Sequence, residues 1–157
     1  MLTACAPSVT VTRHSGPISP GDKILVDIVF DAAELAPVFR RELSAAGFSV
    51  ASTKSEAVYV LSGSYVPRWD LVRYILVSGR FVITELETGR VMMRLETGPT
   101  HMASAETAVH KMVKDMVREN RKSWPQGSAK WKVSMRNSTG TLRCRVNHSP
   151  NPFSHQL

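Results

Sequence analysis

Residues 56–96 constrain the fold most. They read EAVYVLSGSYV, a break at Pro67-Arg68-Trp69-Asp70, then LVRYILVSGRFVITELETGRVMMRLE, rich in Val, Ile, Tyr, Phe and Leu with no proline outside the break. The sharpest piece is a hairpin with Thr88-Gly89 as its loop. That loop sets Leu86 opposite Val91, Thr84 opposite Met93 and Val82 opposite Leu95. Side chains alternate along a strand, so Val82, Thr84, Leu86, Val91, Met93 and Leu95 are expected on one apolar face, with Ile83, Glu85, Met92, Arg94 and Glu96 on the other. A sheet with one apolar face needs a cover, and the chain supplies an amphipathic helix on each side.

Upstream, residues 23–30 (KILVDIVF) form a strand with Ile24, Val26, Ile28 and Phe30 inward, and Asp27 on the open face. Asp31 and Glu34 have capping-box spacing, and the helix they open carries Leu35, Val38, Phe39, Leu43 and Ala46 on one stripe before Gly47 ends it. Phe48 to Ala51 follows as a short strand, a strand–helix–strand order that implies a right-handed crossover. Residues 72–86 read as one long strand with a bulge near Ser78-Gly79, where the inward set changes parity. Ser104 caps a last helix with Ala105, Ala108, Val109, Met112, Val113, Met116 and Val117 on its core side, and His110, Lys114 and Asp115 opposite. The expectation is an α+β domain: a mixed sheet of four or five strands with two helices packed on one face.

A chain of 157 residues suits one domain, and no run approaches the ~18 apolar residues of a membrane-spanning helix. The net charge is +7, and residues 1–120 balance. The excess is Arg121, Lys122, Lys130, Lys132, Arg136, Arg143 and Arg145, with no acid after Glu119. This tail reads either as disordered or as a cationic hairpin, Trp131, Val133 and Met135 facing Leu142, Cys144 and Val146. In the second form Lys130, Lys132, Arg136, Arg143 and Arg145 would meet a polyanion.

Catalytic chemistry is not visible. His14, His101, His110, His148 and His155 show no metal-ligand spacing, Ser62-Gly63-Ser64 is a strand end, and no carboxylates pair for acid–base work. No enzymatic role, cofactor or metal is expected. The better candidates are Tyr65, Arg68, Trp69 and Tyr74 around the break, residue types that dominate protein-binding hot spots. The alternative is that Trp69 packs over the sheet edge as a lid.

Leu2-Thr3-Ala4-Cys5 resembles the lipobox of bacterial lipoproteins, in which the cysteine becomes the acylated amino terminus. That resemblance implies a leader upstream of Met1, lipidation of Cys5 and, with no Asp after it, the outer membrane. The other reading leaves Cys5 and Cys144 as unrelated thiols or a disulfide. Residues 1–20 are then a lipobox-like start and Ser/Thr/Pro-rich tether, 21–122 the α/β domain and 123–157 the basic tail. The phrases Ala45-Ala46-Gly47-Phe48, Glu56-Ala57-Val58-Tyr59-Val60-Leu61-Ser62-Gly63 and Glu85-Leu86-Glu87-Thr88-Gly89-Arg90-Val91 resemble the small α/β domain of bacterial envelope proteins. This is the domain of the TolB amino terminus, CsgG and the LpoB-type activators. The resemblance implies a non-catalytic periplasmic module that docks another envelope protein or assembles with itself. The competing expectation is a soluble module whose basic tail binds nucleic acid or another polyanion.

Overall fold

The structure is a computed structural model that describes residues 7–98 and 104–122. The strands and α-helices among these residues follow in order: β1 (Val9–Arg13), β2 (Lys23–Ile28), α1 (Leu35–Ala45), β3 (Ser49–Ala51), β4 (Tyr59–Trp69), β5 (Tyr74–Glu85), β6 (Val91–Thr97) and α2 (Ala105–Arg121), with one 3-10 turn, Lys54–Glu56, between β3 and β4. They build the expected α+β architecture, with one six-stranded mixed sheet ordered β1-β6-β5-β4-β2-β3. β2 runs parallel to β3 and β4, and the other pairs are antiparallel. Both helices lie on one face, α1 over β2 and β3, α2 over β1, β6 and β5, and they pack on each other.

The sixth strand is β1. The Ser/Thr/Pro-rich start was read as a tether, but Val9–Arg13 pairs antiparallel with β6 from Val9↔Thr97 to Arg13↔Met93. Its Val-Thr alternation places Val9 and Val11 against the core. Further on, Ile18 is fully buried and held by α2: the Asn120 Oδ1 accepts from Ile18 N–H at 2.8 Å and its Nδ2 donates to Ile18 O at 2.9 Å. One amide thus satisfies both buried backbone groups of the segment.

β2 buries Ile24 and Val26 and leaves Asp27 exposed on the uncovered face, as its alternation requires. Phe30 departs from the expected inward set. The strand ends at Ile28, Phe30 takes a left-handed φ of 60°, and its ring is 94% exposed. The expected capping box is also replaced. Glu34 sits left-handed with no side-chain bond, and both Asp31 oxygens accept from the first helical amides, Leu35 and Ala36, at 2.6 Å each. Gly47, at φ 90°, ends α1 and returns Phe48 N–H to Leu43 O at 3.0 Å.

The β5–β6 hairpin closes with a different register from the expected one. Glu85 and Arg90 bracket a four-residue loop, Gly89 N–H bonding back to Glu85 O at 2.9 Å. Met92 is then an extra residue between the pairs Thr84↔Val91 and Ile83↔Met93. The combined shift puts Phe81 and Ile83, not Val82 and Thr84, on the inner face with Met93 and Leu95. Pro67 does not break the sheet either. It lies inside β4 at a bulge where Val77 is extra, between Val66↔Ser78 and Pro67↔Leu76, a site that tolerates a missing N–H. That bulge is one residue from the position expected on β5.

In α2 the Ser104 hydroxyl accepts from Thr107 N–H at 3.1 Å, and the expected stripe is buried. Asp115, expected on the solvent side, is buried and paired with Lys111 at 2.7 Å and Arg118 at 3.2 Å. Replacing Asn120 by Ala leaves two buried backbone groups of Ile18 unpaired and should cost about 2–3 kcal/mol. Denaturant unfolding reads the loss, and amide exchange should show protection disappearing first at Ile18.

Candidate functional site

β4 and β5 outrun their neighbours. β2 stops pairing at Ile28↔Gly63 and β6 at Gly79↔Thr97, while β4 and β5 continue together to Trp69↔Tyr74. Beyond Gly63 and Gly79 the sheet is therefore a two-stranded arm, and among the described residues no strand pairs with either outer edge. Its turn spans residues 70–73, with Asp70 N–H bonded to Arg73 O at 2.9 Å and Val72 N–H to Asp70 O. Leu71 is held at φ 50°, a left-handed conformation that suits glycine better than leucine.

The arm is apolar, buried at Ile75 and Leu76 and exposed at its turn and along its other side. Leu71 is 89% exposed, Val72 83% and Trp69 56%, and Val66, Tyr74 and Val77 are also exposed. Trp69 and Tyr74 meet edge to face, centroids 5.0 Å apart at 67°, with Arg68 and Arg73 exposed beside them. Trp69 packs on its cross-strand partner rather than as a lid over the sheet edge. Trp69, Tyr74 and Arg68 are thus gathered as the sequence suggested. Leu71 and Val72 were missed, the latter being assigned to a strand. The signal was there: a turn of Asp-Leu-Val-Arg puts apolar residues where Gly, Asn or Ser are usual.

Tyr65 belongs to the base of the arm and not to its surface. Its ring turns inward, 6.2 Å from that of Phe81, which packs edge to face on Phe39 at 4.8 Å. Its hydroxyl donates to Asp31 Oδ1 at 2.6 Å and accepts from Ala33 N–H at 2.8 Å. The arm is thereby tied to the β2–α1 loop that carries the exposed Val29 and Phe30. Burial first, and the bond to Asp31 second, push the Tyr65 phenol up to about 12.

The described residues also form concavities away from the arm. A groove between the helices has Ala45, Ala46, Val113 and Val117 inside and Lys114 and Arg121 at its rim. His110, read as a solvated side chain, bonds across this groove's edge to Glu42 at 2.8 Å and lowers the Glu42 carboxyl. An open depression on the uncovered sheet face is lined by Thr10, Ser64, Ser78 and an Arg80–Glu96 pair at 2.8 Å. Among the described residues no group of three or more His, Cys, Asp or Glu is placed to hold a metal, and no helix is long and apolar enough to cross a membrane. Cys5 and the tail cations Lys130, Lys132, Arg136, Arg143 and Arg145 lie outside the described residues.

The knot at the arm's base is testable by alkali. A phenol with a raised folded value stays protonated after its unfolded counterpart has ionised, so its contribution is whole below about pH 10 and is lost as the pH rises toward 12. Tyr65→Phe should remove that late step from the ultraviolet tyrosine titration. It should also cost about 1–3 kcal/mol at neutral pH, since Asp31 loses a donor and Ala33 N–H an acceptor.

No family model matches the chain, and no curated protein matches it. Solved structures do. The chain is similar to the PelC dodecamer from Paraburkholderia phytofirmans, at 20% identity and TM-score 0.46, over 68% of this chain and 94% of that one. It is similar to TolB from Acinetobacter baumannii at 14% identity and TM-score 0.46, over 76% of this chain and 32% of TolB. It is also similar to a minor lipoprotein from Acinetobacter baumannii at 17% identity and TM-score 0.39, over 64% of this chain and 94% of that one.

Proposed function

We propose that this chain is a non-catalytic bacterial envelope lipoprotein. It is fixed to the periplasmic face of the outer membrane through Cys5, and its folded domain docks another envelope protein or a second copy. The observation that carries the docking reading is the arm. Two strands continue past the rest of the sheet, with Val66 and Val77 exposed along them and Trp69, Leu71 and Val72 exposed at their end. An isolated two-stranded ribbon is marginal in water, and unpaired edges are templates for strand addition. Strands that outrun their neighbours and expose apolar side chains suit a partner that packs on them. The lipobox-like Leu2-Thr3-Ala4-Cys5 supplies the anchor in this reading.

Two measurements test the two halves. Intact mass of the protein from a bacterial envelope, expressed from its longest upstream start, should show an amino terminus at Cys5 carrying acyl chains. An unmodified terminus in the soluble fraction overturns the anchor. Val77→Lys places a charge on the arm's edge without entering the core. It should weaken association, read by sedimentation of the purified protein or by recovery of its envelope complex, at least about tenfold, a change of about 1.4 kcal/mol. Unchanged association together with an unchanged melting curve overturns the edge.

A further inference from the structure

The arm and the anchor leave the domain at the same end. β5 enters the six-stranded body at Gly79, Gly79 lies opposite Thr97, and Thr97 lies opposite Val9 where β1 begins. Ser8 is fastened there by Gly98 N–H and the Thr97 hydroxyl, each 3.1 Å from its carbonyl. Cys5 is three residues before Ser8, so its Cα lies within about 11 Å of that fixed point. With Val77 bulged out, the arm advances four paired residues beyond Gly79 to the Trp69–Tyr74 pair, about 13 Å at strand rise, and its turn stands beyond that. Strand twist of ~20–25° over the two steps from β5 to β1 still leaves about 9 Å of this projected along β1, to which the turn adds. A tether this short cannot hold the domain farther from a bilayer than the arm is long.

We infer that the arm's tip is a membrane-interface anchor, seating Trp69, Leu71, Val72 and Tyr74 among the lipid headgroups of the bilayer that holds the acylated Cys5. This rests on the lipoprotein reading above and gives the tip, as distinct from the arm's edges, to lipid. The chemistry fits that level of a bilayer. Trp and Tyr prefer the interface, Leu71 and Val72 at the turn reach deepest, and Arg68 and Arg73 carry their charge on long stems toward phosphates. The only acid at the tip is Asp70, so its net charge is positive, complementary to anionic headgroups. Phe30, exposed on the loop bonded to the arm's base, adds an aromatic ring beside it.

The test supplies the tether artificially, so that it does not depend on native acylation. The full chain carrying Cys144→Ser, Trp124→Phe and Trp131→Phe has one thiol, Cys5, and one tryptophan, Trp69. Coupling Cys5 to a maleimide lipid in phosphatidylethanolamine/phosphatidylglycerol vesicles should shift Trp69 emission to the blue. It should cut acrylamide quenching several-fold and open Trp69 to quenching by brominated acyl chains. Adding Leu71→Gly and Val72→Ser should abolish all three effects; glycine relieves the left-handed backbone at Leu71, so the melting temperature holds. If Trp69 remains as accessible on the vesicle as in solution, the inference fails even where Cys5 proves to be acylated. Protection of Trp69 that rises with protein concentration and needs no vesicle also overturns it, giving the tip to a second copy. A native Cys5 found unmodified by mass, with insertion intact on the artificial tether, removes the anchor and keeps the tip's affinity for lipid.

Discussion

One carboxylate joins the three parts on which the candidate site depends. Asp31 accepts from the first two amides of α1 and from the Tyr65 hydroxyl, all at 2.6 Å. Its charge lies at the positive end of the helix, where two amide donors have no partner within the helix. The same group fixes the inward rotamer of Tyr65, which packs on Phe81 at the arm's base. Without that bond the Tyr65 hydroxyl would keep only the Ala33 N–H. Gly63, two residues earlier, keeps the approach close: a Cβ there would collide with Phe81. The arm's direction is therefore set by the core, to which the arm itself contributes Leu76.

A second constraint acts on the opposite flank. β1 and the segment after it contribute few large apolar side chains, and only Ile18 is fully buried. They are held by their ladder with β6 and by the Asn120 amide, which replaces water for one N–H and one C=O. That amide fixes a segment Ser/Thr/Pro-rich enough to pass for linker. The start of β1 is held separately, by its pairing with Thr97 and by the bonds of Gly98 N–H and the Thr97 hydroxyl to Ser8 O.

How much of this the sequence carries depends on period. The helical stripes of α1 and α2, the Ser104 cap and the Gly47 stop were legible because each is a local pattern with a local cause. Register was not. A single extra residue inverts every later side chain, and β5 meets two such insertions, at Val77 opposite β4 and at Met92 opposite β6. The second of these, together with the four-residue loop, moved Val82 out and Phe81 in. β1 was hidden for another reason: five residues flanked by Ser and Pro lie below what pattern alone separates from a linker. The site was half legible. Trp69, Tyr74 and Arg68 stood out by type, whereas Val72 lay concealed in an apparent strand, and Leu71 beside it went unassigned, until Pro67 proved to be inside β4. Tyr65 stood out by type too, but its ring belongs to the core.

The turn of the arm departs from what folding alone favours in two ways at once. Leucine is held in a conformation glycine takes at no steric cost, and residues of the most apolar kind are placed where solvent is greatest. Either feature alone is ordinary in a folded domain. Together, on consecutive residues, they work against stability twice at a position where Asn-Gly would satisfy backbone and water alike. Among the described residues no core contact of Leu71 or Val72 offsets this, both side chains being largely exposed. Both residues stand at the end of the domain where β1 also begins. An apolar tip of that height suits the lipid surface inferred above better than the closing of a pocket.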